Sequence, residues 1–132
     1  MVEKKVLVVE DDEMVRTVLL EGLSGEHEVE AVNDGFAAMV SIWKQKPDIV
    51  ITDLNMFSLD GISLVKNILS NPANADMKFI LISGCLTVDR IQEWKALVKE
   101  AVIFPKPFTI TEIKSAVQRL LQSTPHGSLS EC

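Results

Sequence analysis

One hundred and thirty-two residues make one domain's worth of chain, and 47% apolar with 24% charged residues is an ordinary globular composition, which excludes a disordered or fibrous chain. Thirteen basic against nineteen acidic side chains leave a formal charge of −6, which repels phosphate backbones and anionic lipid and disfavours direct nucleic-acid or membrane binding. Cys85 and Cys132 form no close pair, no apolar run approaches the ~20 residues of a membrane span, and the start Met1-Val2-Glu3-Lys4-Lys5 reads without a signal peptide, so a cytoplasmic protein is expected.

Two kinds of segment alternate along the chain. Val6-Leu7-Val8-Val9 is a β-branched run too short for a helix, as expected of a strand buried on both faces of a parallel sheet. Val15, Val18, Leu19, Gly22 and Leu23 then share one face of a helix. Val29-Glu30-Ala31-Val32 is weaker and alternating, which suits a strand near an edge. Phe36, Met39, Val40 and Trp43 follow at helical spacing, and both tryptophans, Trp43 and Trp94, are expected in the core. Ile49-Val50-Ile51 is the third strand and Ile62, Val65, Ile68 and Leu69 mark the third helix. Phe79-Ile80-Leu81-Ile82 and Val88, Ile91, Trp94, Val98 repeat the pattern, as do Val102-Ile103-Phe104 and Ile110, Ile113, Val117, Leu120, Leu121.

Asp12 and Asp60 read as helix N-caps, and Thr109 with Glu112 as a capping box whose staple pairs Phe108 with Ile113. Five βα units with right-handed crossovers give an α/β fold, a parallel sheet with helices on both faces. One domain is expected over 1–122. From 123 to 132 the periodicity is lost, and a mobile C-terminal tail is expected.

Open α/β sheets bind ligands beyond the carboxyl ends of their strands. There the chain offers Glu10-Asp11-Asp12 after the first strand, Asp53 after the third, Ser83-Gly84 after the fourth and Lys106-Pro107-Phe108 after the fifth. Carboxylates gathered at neighbouring strand ends repel one another and call for a cation. Oxygen ligands with room for water suit Mg²⁺. Taken alone, Glu10-Asp11 would be a solvated acidic turn, Lys106 a surface lysine and Ser83 a turn residue.

The motifs Leu7-Val8-Val9-Glu10-Asp11-Asp12, Ile51-Thr52-Asp53-Leu54-Asn55-Met56, Asp60-Gly61, Leu81-Ile82-Ser83-Gly84 and Lys106-Pro107-Phe108, in this order, resemble the receiver domain of two-component response regulators, the chemotaxis regulator type among them. The resemblance spans about residues 4–122. It implies a flavodoxin-like doubly wound sheet of order 2-1-3-4-5. It also implies that Asp53 is the phosphoacceptor, a carboxylate nucleophile that takes a phosphoryl group from a histidine kinase or a phosphotransfer protein. By the same resemblance Asp11 and Asp53 ligate Mg²⁺ directly, Glu10 through water and Asn55 by its backbone carbonyl. Ser83 then donates its hydroxyl to a phosphoryl oxygen, and Lys106 pairs first with Asp53 and then with the phosphoryl group. Glu10, Asp11 and Asp53 give −3, which Mg²⁺ and Lys106 balance. The Lys106–Pro107 bond is expected to be cis. Such a protein is a phosphoacceptor in a phosphorelay rather than an enzyme, and its switched surface docks an output protein or effector domain.

Three positions depart from the family pattern. Met56 is followed by Phe57 rather than Pro, Lys99-Glu100 replaces the Gly-Ala pair after the fourth helix, and Ile103 stands where an aromatic switch residue is usual. Phe104 faces the other side of its strand and cannot substitute. A receiver-like docking module that is never phosphorylated is the alternative, which the complete set of polar site residues disfavours. A flavin-binding redox protein on the same kind of sheet is disfavoured by the acidic first loop, the lack of any Tyr and the lack of a Gly-rich phosphate loop.

Overall fold

The apolar runs form the strands expected of them. The computed structural model describes residues 4–56 and 59–122, so the tail expected over 123–132 and Phe57 lie outside the described residues. In chain order the elements are β1 (Lys5–Val9), α1 (Glu13–Leu23), β2 (Glu28–Val32), α2 (Gly35–Lys44), β3 (Ile49–Asp53), α3 (Gly61–Leu69), β4 (Lys78–Ser83), α4 (Val88–Leu97), β5 (Val102–Pro105) and α5 (Ile110–Gln122), with a 3-10 turn at Pro72–Asn74. The strands make one parallel sheet in the order β2-β1-β3-β4-β5. This is the flavodoxin-like doubly wound arrangement.

Alternation along each strand divides the core into two layers. Leu7, Val9, Val50, Phe79 and Leu81 pack with Ala38, Ile42, Ile62, Val65, Ile68 and Trp94 on the side of α2, α3 and α4. Val6, Val8, Ile49, Ile51, Ile80 and Ile82 pack with Leu19, Leu23, Ile113, Val117 and Leu120 on the side of α1 and α5. β1 and β3 are buried throughout, whereas β2 and β5, at the sheet's edges, are mostly half-buried. Trp94 is fully buried, donates its ring N–H to the Val102 carbonyl (3.1 Å) and meets Phe79 edge-on.

Helix starts follow the local chemistry. The side chains of Asp12, Asp34, Asp60 and Thr87 accept from the amides of Val15, Ala37, Ser63 and Arg90. At α5 the capping box is reciprocal: the Thr109 amide donates to Glu112 (3.0 Å) and the Glu112 amide to Thr109 Oγ1 (3.1 Å).

Expectations about packing are corrected at several helix positions. Trp43 does not join the core; it is exposed, as are Phe36 and Val40 on α2, Val18 on α1 and Val88 on α4. On α2 the buried face is Gly35, Ala38, Ser41 and Ile42, with Met39 packed beside it, so Phe36, Val40 and Trp43 point outward. Small side chains hold α2 close: a Cβ on Gly35 would press on the Leu59 side chain. Hydropathy weights the large residues and so rotates the inferred face. Cys85 is exposed. Among the described residues no helix is long and apolar enough to cross a membrane.

Candidate functional site

Hydrogen bonds between strands and loops bring the carboxyl ends of β1, β3, β4 and β5 together. The Leu54 amide donates to the Ile82 carbonyl (2.8 Å), and the Lys106 amide to the Ser83 carbonyl (2.8 Å). These bonds carry the chain beyond β3 and β5 onto β4, so Asp53, Ser83 and Lys106 converge. Gly61 permits the close start of α3: a Cβ there would collide with the backbone carbonyl of Asp53. The Lys106–Pro107 bond is cis.

Three carboxylates meet in this pocket. Glu10, Asp11 and Asp53 each offer an oxygen, and these atoms all lie within 4.8 Å of one another. Glu10 and Asp53 are buried while Asp11 faces solvent, which leaves one open side. Lys106 Nζ is 2.8 Å from Asp53 Oδ2 and 3.2 Å from Glu10 Oε1. Against this single ammonium the three carboxylates carry a formal −3, so the pocket is two positive charges short.

Electrostatics register that shortage. Burial pushes the Glu10 carboxyl up from 4.5 to about 7, and the nearby Asp53 carboxylate adds to the rise. The Asp12 amide, donating to Glu10 Oε2 (3.1 Å), and the charge of Lys106 offset part of it. For Lys106, burial acts downward, but the hydrogen bond to Asp53 and the charge of Glu10 outweigh it and hold the ammonium above its ordinary 10.5. Glu10 Oε1 is buried without a hydrogen bond of good geometry, having only the Lys106 charge at 3.2 Å. An orphaned oxygen beside two further carboxylates fits a hard cation: the donors are all oxygen and one side is open to water.

Asn55 sits beside these groups. Its amide donates to Asp53 Oδ1 (3.1 Å), and its side-chain Nδ2 to Ser83 Oγ (3.1 Å). Ser83 Oγ also accepts from the Cys85 amide (3.0 Å) and lies 3.0 Å from the Cys85 carbonyl. Each residue singled out in the sequence (Glu10, Asp11, Asp53, Asn55, Ser83 and Lys106) thus falls at one end of the sheet. Two contributions escaped the sequence reading. Arg16 donates from its guanidinium to the Glu10 carbonyl (2.9 Å), which ties α1 to the acidic loop. The Asn55 side chain links the Asp53 loop to Ser83, whereas the resemblance implies a role only for its backbone carbonyl. Arg16 lies four residues beyond Asp12, a turn into α1, and that spacing was the available signal.

Comparison with known proteins agrees with this geometry. The family model described as response regulator receiver domain matches residues 6–118. Sporulation initiation phosphotransferase F of Bacillus subtilis is 30% identical over 122 residues, which cover 92% of this chain and 96% of that protein. A probable chemotaxis protein CheY of Rhizobium etli is also 30% identical, over 86% of this chain and 89% of its own. Among solved structures, the chemotaxis response regulator CheY4 of Vibrio cholerae superposes with a TM-score of 0.80 at 26% identity, covering 90% of this chain and 99% of that one. The chain belongs to the response regulator receiver domain family of two-component signalling.

Proposed function

We propose that Asp53 is the phosphoacceptor of this receiver, taking a phosphoryl group from a histidine kinase or a phosphotransfer protein and thereby switching a surface that docks an output protein. The observation that carries the reading is the junction of the three-carboxylate cluster with Lys106, whose ammonium lies 2.8 Å from Asp53 Oδ2. An Asp53 carboxylate oxygen forms a bond to phosphorus while the bond from phosphorus to the donor breaks, and the donor leaves with that electron pair. The product is an acyl phosphate.

Asp11, Asp53 and the Asn55 carbonyl would hold Mg²⁺, with Glu10 acting through water. When bound, the ion supplies positive charge against the phosphoryl oxygens. The protein's own groups do the rest. Lys106, anchored through its amide to the Ser83 carbonyl, neutralises Asp53 before reaction and is within reach of a new phosphoryl oxygen after it. The Ser83 hydroxyl exchanges its bond to the Cys85 carbonyl for one to the phosphoryl group. Asn55 keeps Asp53 Oδ1 oriented through its backbone amide. The chain thus accepts and loses phosphate on itself rather than turning over a substrate, and Ile103 in place of an aromatic side chain makes its output depend on the surface of α4, β5 and α5 without a ring to swing. The expected domain is residues 1–122.

Incubation with acetyl phosphate and Mg²⁺ followed by intact-mass measurement tests the proposal. One added phosphoryl group is expected, absent in Asp53→Asn and blocked by EDTA. Modification that persists in Asp53→Asn identifies a different acceptor.

A further inference from the structure

Helix α2 exposes an apolar stripe that neither the core nor the carboxylate pocket uses. Phe36, Val40 and Trp43 stand at i, i+4 and i+7, on one face of the helix, and are 78%, 38% and 88% exposed. Contiguous exposed apolar area of this kind marks an interaction site more often than scattered single residues do. The stripe is nearly symmetric about Val40, with one aromatic ring towards each end. Charge is arranged along the same axis: Asp34 caps the N-terminal end, and Lys44 lies in the last turn, where its charge acts on Glu30 from beyond direct ion-pair distance.

We propose that this face is a self-association surface on which a second copy of the chain packs α2 against α2, antiparallel, about a twofold axis near Val40. Antiparallel pairing sets Phe36 of each copy against Trp43 of the other, with the two Val40 side chains meeting at the centre. It also brings Lys44 within a turn of the opposite Asp34, and each helix C-terminus beside the partner's N-terminus, so charges and helix dipoles are both complementary. Parallel pairing would place like charges together at both ends, which favours the antiparallel second copy over any parallel arrangement.

Area sets the strength. With aromatic side chains burying about 150–250 Å² each, the stripe can cover roughly 400 Å² per copy, about half of what a stable interface buries per partner. The dimer is therefore weak and reversible. Its face contains none of Glu10, Asp11, Asp53, Ser83 and Lys106, so it stands or falls separately from the phosphoryl chemistry.

Sedimentation equilibrium of the full chain from about 5 to about 500 µM, at physiological salt, tests it. A monomer–dimer equilibrium is expected, with the emission of Trp43 moving to the blue as concentration rises while buried Trp94 contributes a constant background. Trp43→Lys changes an exposed residue and so leaves the fold intact, as circular dichroism would verify; it should weaken association more than tenfold. Lys44→Glu sets two acidic groups together at each end of an antiparallel pair and should weaken it several-fold. A monomer throughout the range, or a dimer that persists in Trp43→Lys, overturns the surface. A dimer indifferent to Lys44→Glu overturns the antiparallel arrangement.

Discussion

At the scale of single residues, Glu10 is the most informative. Its carboxyl is fully buried, and its pKa in the fold is about 7 against 4.5 for an unperturbed glutamate. A carboxyl raised in the folded state costs nothing below pH 4.5, where both states are protonated. The cost then grows up to about pH 7 and is complete above it. In EDTA, Glu10→Gln should therefore be more stable than wild type at pH 8, by about 1–3 kcal/mol, and match it near pH 5. Urea melts at the two pH values check this, and an equal difference at both would remove Glu10 ionisation as the cause. The places of the polar site residues were legible because they lie at or just beyond the ends of apolar strand runs, but their roles came only from the resemblance, since alone Lys106 reads as a surface lysine and Ser83 as a turn residue. Arg16 and the Asn55 side chain were not legible, because their partners are a backbone carbonyl and a hydroxyl brought near only by the folded loops.

Among the elements, α3 and α4 are coupled by an ion network at the end of the sheet that carries the carboxylates. Arg90 of α4 donates to the Asp60 carboxylate (2.9 Å) and to Glu93 (2.8 Å), while Asp60 caps α3 through the Ser63 amide (2.8 Å). Partial burial raises the Asp60 carboxyl, but the Ser63 amide and the Arg90 guanidinium outweigh it and hold its pKa below 3.8. Asp60→Ala should cost about 1–2 kcal/mol, mostly from the lost cap, and Arg90→Ala less than about 1 because that pair is partly solvated. The contribution of Asp60 is fully present above pH 3.8 and is lost as pH falls through its lower folded value. The difference between Asp60→Ala and wild type should therefore hold from pH 7 to pH 5; shrinkage already at pH 5 would contradict the assignment. On β5, Ile103 packs with the layer of α2, α3 and α4, and Phe104 with that of α1 and α5, as alternation along the strand requires. With a beryllofluoride phosphoryl mimic, NMR should show shifts across α4, β5 and α5 without a two-state movement of the Ile103 side chain. Such a movement would restore a rotameric switch at that position. Element order and type were readable because the runs are short, β-branched and separated by helical periods. The face of α2 was not, since of the four residues that meet the core, Gly35, Ala38, Ser41 and Ile42, only Ile42 is large and apolar.

For the whole molecule, the core fixes the strand ends and the strand ends fix the charges. Val6 to Val9 and Ile49 to Ile51 are fully buried, so Glu10, Asp11 and Asp53 cannot draw apart without breaking contacts worth about 1.5–3 kcal/mol per large side chain. The fold therefore holds its carboxylates against their repulsion, with Lys106 as partial compensation. A cation that binds only this folded arrangement stabilises it by RT ln(1 + [L]/Kd), so Mg²⁺ at about 100 times its Kd should add about 2.7 kcal/mol. For a chain of this size that is a rise of about 10 °C in Tm. Asp53→Asn removes one of the crowded charges and also the ion pair to Lys106. Relief of repulsion opposes loss of the pair, and a modest net gain in apo stability is expected because Glu10 still faces Lys106. The same substitution removes a proposed ligand, so the Mg²⁺ increment should shrink. Thermal melts of wild type and Asp53→Asn, each in EDTA and in excess Mg²⁺, separate the two effects. Equal melting temperatures of wild type in both buffers, across millimolar Mg²⁺, would show that the three-carboxylate cluster holds no such ion.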